Sequence, residues 1–352
     1  MYKTNDDALR IGLLLPYQGP IGLWGLSSER CAQLAAAELN TYKGILGKEI
    51  ELVPIDASGD PVEVANRTMS LVEENGLGAL VGMHTSDIRV EIVNRLNGTI
   101  PFIYTPMYEG GENHLGVFMT GETPSSLLSS MFSWLFENFE AKSWYMIGND
   151  YCWPRKTNEL AKNVLRDNGK TIQGETYLPF DYLNFDNELD QIEKLNPDIV
   201  FVTLLGECSL QFNRQFGERG LDQNTIRYCC AIEENMLYGI GEENTRNLFS
   251  TMGYHQHLKT EPAENFSRFY DATFGEDAPA VNQFASSCYD GIMLLSHLGE
   301  MAGSLACPEL EIAASENVRF VSSRGEASLH DRHVISKLHI VEAQGVDFRT
   351  IT

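Results

Sequence analysis

Short apolar runs separated by stretches with helical spacing constrain this chain more than any other feature. Residues 11–15 form one such run, as expected of a strand covered on both faces. Between Ser27 and Tyr42, the residues Leu34, Ala35, Leu39 and Tyr42 recur at helical intervals. Residues 49–55 alternate like a strand. Asp60-Pro61 reads as a helix start, with Asp60 as N-cap and Pro61 in the first turn. Residues 79–81 and 102–104 are further short strands, with a helix over 87–96 between them. A strand–helix–strand series of this kind implies a parallel sheet with right-handed crossovers.

A second series begins near Trp144. Strands are predicted at 144–147, 171–177, 199–204, 227–230 and 248–252, with helices at 156–167, 186–195 and 210–219. Helices at 263–274 and 280–302 lead the chain back toward a sheet. Residues 318–321, 326–329 and the alternating run 334–341 read as antiparallel strands. The two series predict an α/β protein of two lobes, each a mainly parallel sheet flanked by helices, with a ligand cleft between them. Residues 1–123 with 254–317 are expected in one lobe, and 124–253 with 318–352 in the other. Thr123-Pro124 and Gly253-Tyr254 are the expected hinge points, because the pattern changes there.

The length of 352 residues suits two domains. A net charge of −23 argues against nucleic acid as a direct partner, since phosphate binding needs clustered Lys and Arg. No run approaches the length of a membrane span. The first residues lack the apolar core of a secretory signal. Seven cysteines, two of them the adjacent Cys229 and Cys230, would be a hazard in an oxidising compartment. The cytoplasm is therefore the expected location, with the periplasm as the alternative where a signal has been removed. No Cys-x-x-Cys pair occurs, which argues against a structural zinc site.

Ligands of open α/β sheets sit where strands end and helices begin. The segment 146–158 reads as the end of a buried strand, a polar loop and a helix opened by Pro154. Its loop carries Asp150, Tyr151 and Trp153, a mix that suits a small polar ligand with a short apolar part. An ordinary strand-to-helix turn with incidental aromatics fits the segment equally well. After Val81 come His84, Thr85 and Ser86, where Ser86 is expected to cap the next helix and offer its hydroxyl and a free N–H to a ligand. A plain cap with no ligand is the competing reading. Tyr104 ends a strand and can present its ring or hydroxyl, while Glu109 shapes a loop. In the second series, residues 203–208 and 231–234 end strands. A carboxylate from Glu233 or Glu234 suits the N–H groups of an amide, urea or ammonium ion. Both acids also fit as simple partners of a helix dipole.

Signals for catalysis are weak. The chain has no Gly-x-Ser-x-Gly elbow, no phosphate-binding loop and no dinucleotide fingerprint. His255 and His257 alternate as on a strand, which points them to opposite faces, and His330 and His333 flank a polar turn. Structural or solvated histidines are the expectation for both pairs, with no metal or other cofactor. Cys208 has no base beside it and is expected to be inert.

The pattern resembles the type I periplasmic-binding-protein superfamily over nearly the whole chain. Its parts are Ile11-Gly-Leu-Leu, Asp56-Ala-Ser-Gly-Asp-Pro61, Leu80-Val-Gly-Met-His-Thr-Ser86, Tyr104 with Tyr108-Glu-Gly110, and Gly325-Glu-Ala with the strand ending at Gly345. The segment Gly148-Asn-Asp-Tyr-Cys-Trp-Pro-Arg-Lys-Thr-Asn158 is the most specific part and looks like the amide-sensor (AmiC-like) and urea- or short-chain-amide-binding branch. The resemblance implies a ligand shell of His84, Thr85, Ser86 and Tyr104 on the first lobe. Tyr151, Trp153, Gly206 and Glu233 would complete it on the second. His84 replaces an aromatic hydroxyl residue of the sensor pattern, Trp153 replaces a tyrosine, and the Thr-Pro step after Tyr104 is shifted. These departures leave open which amide, urea or other ligand fits. The implied function is non-catalytic: a small neutral ligand closes the lobes and controls a partner such as an antiterminator protein. The alternative is the binding component of an ABC transporter, delivering urea, short-chain amides or amino acids to a permease. A homo-oligomer is compatible with either.

Overall fold

The structure, a computed structural model, describes residues 8–275 and 277–352. In chain order its strands and helices are β1 (Leu9–Leu15), α1 (Gly25–Thr41), β2 (Ile50–Asp56), α2 (Pro61–Asn75), β3 (Ala79–Gly82), α3 (Ser86–Leu96), β4 (Phe102–Tyr104), β5 (Val117–Met119) and α4 (Pro124–Asn138). There follow β6 (Ser143–Asn149), α5 (Cys152–Asp167), β7 (Thr171–Leu178), α6 (Asp186–Leu195), β8 (Ile199–Thr203), α7 (Gly206–Glu218), β9 (Ile226–Cys229), α8 (Glu234–Ile240) and β10 (Leu248–Met252). The chain continues through α9 (Glu261–Phe274), α10 (Gln283–Ala302), α11 (Cys307–Ala314), β11 (Arg319–Ser322), β12 (Gly325–His330), β13 (His333–Ser336), β14 (His339–Gln344) and β15 (Asp347–Thr350).

Two compact units result. The first takes the described residues up to Met107, Gly111–Glu122 and Lys259–Lys337. The second takes Tyr108–Gly110, Thr123–Leu258 and Leu338–Thr352. Unit 1 holds an eight-stranded sheet in the order β11-β12-β13-β5-β4-β3-β1-β2. Strands β1 to β5 are parallel, and the tail strands β11 to β13 pair antiparallel to each other. Unit 2 holds a seven-stranded sheet, β15-β14-β10-β9-β8-β6-β7, with β6 to β10 parallel and β14 and β15 antiparallel. This is the expected two-sheet α/β architecture with flanking helices.

The local chemistry explains the elements that sequence periodicity finds. Asp60 caps α2 through its carboxylate, which accepts from Val62 N at 2.9 Å and Glu63 N at 3.1 Å. Helix α10, buried along most of its length, lies on unit 1's sheet so closely that a Cβ on Gly291 would sit 2.8 Å from Thr105 Cγ2. In unit 2, Arg227 of β9 is fully buried. Its guanidinium donates to the carbonyls of Asn213 (2.9 Å), Asn244 (2.7 Å) and Arg246 (2.8 Å), and stacks on Phe216. Burial pushes its pKa down to about 10.

Two expectations are corrected. Residues 318–337 were assigned to the second lobe but build β11, β12 and β13 of unit 1. The run 334–341 was read as one strand but is two, β13 and β14, in different sheets. Lys337-Leu338 carries no glycine or proline, so the sequence shows no turn signal where the pairing partner changes. Apart from the excursion Tyr108–Gly110, the chain passes from one unit to the other at Glu122/Thr123, Leu258/Lys259, where 254 was the expected boundary, and Lys337/Leu338. Strands β5 and β15 and helices α4, α8 and α11 were not read from the sequence.

Candidate ligand-binding residues

In unit 1 the candidates follow the end of β3. His84 is buried against Phe102 and Tyr104, with ring centroids 5.9 Å and 5.2 Å away. Its Nδ1 lies 3.1 Å from the Thr85 carbonyl. A carbonyl only accepts, so Nδ1 carries the proton and Nε2 is left as an acceptor. That Nε2 is buried without a partner among the described residues. Burial, helped by the nearby Arg89 and opposed by the bond to Thr85, lowers the His84 pKa to about 4. The imidazole is therefore neutral near pH 7.

Ser86 is buried as the first residue of α3. The cap position belongs to Thr85, whose side chain makes no capping bond, so the expectation that Ser86 caps the helix is corrected. The chain is extended at Thr85 and helical from Ser86, which leaves the start of α3 without a side-chain cap. Tyr104 donates its hydroxyl to the His84 carbonyl at 2.5 Å, so that hydroxyl braces the loop rather than standing apart from it. The Arg89 guanidinium lies 5.2 Å from the Tyr104 ring centroid and 3.2 Å from Glu112 Oε2. Burial alone would raise the Glu112 pKa, but the His114 N–H groups and Arg89 outweigh it and hold it below the usual carboxylate range. Arg89 and Glu112 were missed from sequence, because residues 23 apart carry no local sign of pairing.

In unit 2, β6 ends at Asn149, and this residue organises the neighbouring loops. Its side-chain oxygen accepts Leu205 N at 2.7 Å, and its amide approaches the Leu178 and Pro179 carbonyls at 3.4 and 3.3 Å. Leu205 is the N-cap of α7, and Gly206, its first residue, has φ of +52°, a region that suits glycine. Asn149 was also missed, although its place between Gly148 and Asp150 in the most specific segment was a usable signal. Tyr151, in extended conformation, is the N-cap of α5 and packs on Phe180 at 5.0 Å. Trp153 lies 6.5 Å from Tyr151 and is 1% exposed, with its Nε1–H lacking a partner among the described residues. Asp150 faces solvent and accepts from Arg155 Nε at 2.7 Å.

Glu233 is fully buried as N-cap of α8, where its carboxylate accepts Asn235 N at 2.8 Å. Glu234 follows it, buried, with Oε1 accepting Gln256 N at 2.7 Å. Burial, reinforced by the adjacent Glu233, pushes the Glu234 pKa up to about 8. The two acids thus part company: Glu233 does the capping, and Glu234 is mostly a neutral carboxyl at pH 7.

His255 contacts Thr350 Oγ1 at 2.7 Å, and His257 contacts Asp347 at 3.1 Å, in a turn rather than a strand. No group of three His, Cys, Asp or Glu able to hold a metal occurs among the described residues. All seven cysteines are unpaired and six are buried. Burial pushes the thiols of Cys208 and Cys229 up to about 12. Thiols held so far from ionisation are slow to oxidise.

The chain belongs to the periplasmic binding protein family, whose model matches residues 8–347. Among solved structures, LivJ from Streptococcus pneumoniae, in complex with isoleucine, aligns with a TM-score of 0.85 and 19% identity over 97% of this chain and 98% of its own. A solute-binding protein of an ABC transporter from Rhodopseudomonas palustris, in complex with 3,4-dihydroxybenzoic acid, aligns with a TM-score of 0.85 and 18% identity over 98% and 96%. At such identities these likenesses speak to the fold. In sequence, the Leu/Ile/Val-binding protein BraC3 of Rhizobium johnstonii is 31% identical over 101 residues, spanning 28% of this chain and 26% of that relative.

Proposed function

We propose that this chain is a non-catalytic solute-binding protein of the ABC-transporter type, taking a small amino acid or related carboxylate. The observation that carries this reading is Glu233, a carboxylate fully buried at a helix start beyond the end of β9. A carboxylate so withdrawn from water suits a ligand ammonium or N–H group. In unit 1, the uncapped start of α3 at Ser86 suits a ligand carboxylate, since helix N-termini favour carboxylates. In this reading the binding residues are His84, Thr85, Ser86 and Tyr104 of unit 1 and Tyr151, Trp153, Gly206 and Glu233 of unit 2. Relatives crystallised with isoleucine and with a hydroxybenzoate support a carboxylate-bearing ligand.

One observation favours a second reading, a neutral amide or urea. The imidazole of His84, two residues before Ser86, is uncharged near neutral pH and adds nothing to balance a carboxylate. The segment Gly148–Asn158 resembles that of amide binders in the same sense. In that reading the protein acts in the cytoplasm and a regulatory partner reads its ligand-bound state.

Isothermal titration calorimetry with leucine, isoleucine, 4-hydroxybenzoate, acetamide and urea separates the readings. Binding of an amino acid that weakens at least tenfold in Glu233→Gln and in Ser86→Ala supports the first. Binding of acetamide or urea alone supports the second. Heat from none of the five, or affinities unmoved by both substitutions, removes this placement of the ligand.

A further inference from the structure

The two sheets have four edge strands: β2 and β11 in unit 1, β7 and β15 in unit 2. An open edge invites pairing with another chain, and proteins normally guard it with proline, bulges or charges. β2 carries Pro54 in its interior. The pairing of β7 with β6 is interrupted by a register shift at Trp144/Tyr145. On β15, Asp347 meets His257, Thr350 meets His255 and Arg349 meets Glu342. β11, with the sequence Arg319-Phe-Val-Ser322, has no proline, no break in its register with β12, and a single charge, Arg319.

The pairing pattern identifies which backbone groups lie on the open side. Leu329 N donates to Val318 O at 3.1 Å, so Val318 and Leu329 form a hydrogen-bonded pair. Pairs alternate along an antiparallel ladder. Phe320 and Ala327 are therefore the next bonded pair, while Arg319 and Val321 turn their N–H and C=O groups away from β12. Their side chains stand on the exposed face, where Val321 is 64% and Ile335 of β13 54% exposed. Together with Ser328, His330 and Lys337 they line an open groove of about 560 Å³. Arg319 and Lys337 make no ion pair among the described residues. Glu326 is the single carboxylate in the lining, so the groove is locally basic on a chain of net charge −23.

We propose that β11 is a docking edge for an extended, acidic segment of a partner protein. The segment adds as a strand, its backbone pairing with Arg319 and Val321. Its carboxylates meet Arg319 and its apolar side chains cover Val321, the two residues of β11 whose backbone faces the open side. The charge of the groove selects this occupant over a second copy of the chain, because two-fold pairing of β11 with itself would bring like-charged grooves together.

The test uses the full chain and a fluorescein-labelled eight-residue peptide of alternating glutamate and valine, followed by anisotropy. Saturable binding is expected at low ionic strength, weakening as salt is added. Val321→Pro is expected to abolish it, since proline removes an N–H that faces the open edge and that β12 does not use. Arg319→Glu is expected to weaken it at least tenfold, which keeps the test decisive if the proline variant misfolds by circular dichroism. A lysine–valine peptide that binds as well, or affinity unchanged in both variants, overturns the proposal. So does a concentration-dependent dimer in ultracentrifugation that Val321→Pro abolishes, or binding to phosphatidylglycerol vesicles that outcompetes the peptide.

Discussion

The side-chain oxygen of Asn149, at the end of β6, holds the backbone N–H of Leu205, 56 residues later, at 2.7 Å. This bond joins two parallel strand ends and fixes the loop that starts α7 at Gly206. The group is wholly buried, so nothing else in its surroundings replaces it. Asn149→Ala leaves Leu205 N and two carbonyls without their partner and is expected to cost about 2–4 kcal/mol in urea-induced unfolding. A loss below about 0.5 kcal/mol would mean that water replaces the amide.

Gly148, one residue earlier, is needed for space. A Cβ there would lie 2.3 Å from Thr203 Oγ1 and 3.1 Å from Pro154 Cβ. Thr203 Oγ1 cannot yield freely, because it donates to Asn158 Oδ1 at 3.0 Å. Gly148→Ala should destabilise unit 2 by about 1–3 kcal/mol. In the Gly148→Ala, Thr203→Ala double variant the two losses should be less than additive, as a thermal-unfolding cycle would reveal.

The buried neutral His84 makes stability depend on pH in a definite direction. Its pKa is about 4 when folded and 6.5 when exposed. As pH falls through 6.5 the unfolded chain gains a proton that the folded chain refuses, so stability is lost down to about pH 4. The contribution is on the order of 3 kcal/mol. His84→Phe, which keeps a ring beside Phe102 and Tyr104, should remove this part of the pH profile. Guanidinium unfolding at pH 7, 5.5 and 4.5, with both proteins giving the same slope, would contradict it.

Glu234 acts in the opposite sense. Its pKa, raised from 4.5 to about 8, means that the unfolded chain ionises first. Stability is then full below pH 4.5 and declines as pH rises toward 8. Glu234→Gln keeps the acceptor for Gln256 N without the cost of desolvating a charge. The variant should melt higher than the parent at pH 8 and at the same temperature near pH 4.5. A lower melting point at pH 8 would show that the carboxylate is stabilised there.

What was legible in the sequence followed from local signals. The strand at Ile199–Thr203 opens with four apolar residues in a row, and Asp60-Pro61 announces α2 by capping chemistry alone. His84, Ser86, Tyr104 and Tyr151 could be placed at or just beyond strand ends because those ends can be read once the strands are. What was not legible depends on partners far along the chain. Arg89 finds Glu112 through the fold, and Asn149 finds Leu205 across α5, β7, α6 and β8. Glu233 and Glu234 look alike in sequence, and only the surroundings of each carboxyl assign one to the cap and make the other neutral. The division of 334–341 between two sheets has the same origin, since no glycine or proline marks the passage from one sheet to the other.

That division orders events during synthesis. β10 pairs with β9 on one side and with β14 on the other, and β14 follows every other strand except β15. While a ribosome is still making residues up to Lys337, unit 2 has all its parallel strands but presents β10 as a bare flank. Its protection waits on β14, so premature termination within β14 would leave that sheet exposed to aggregation.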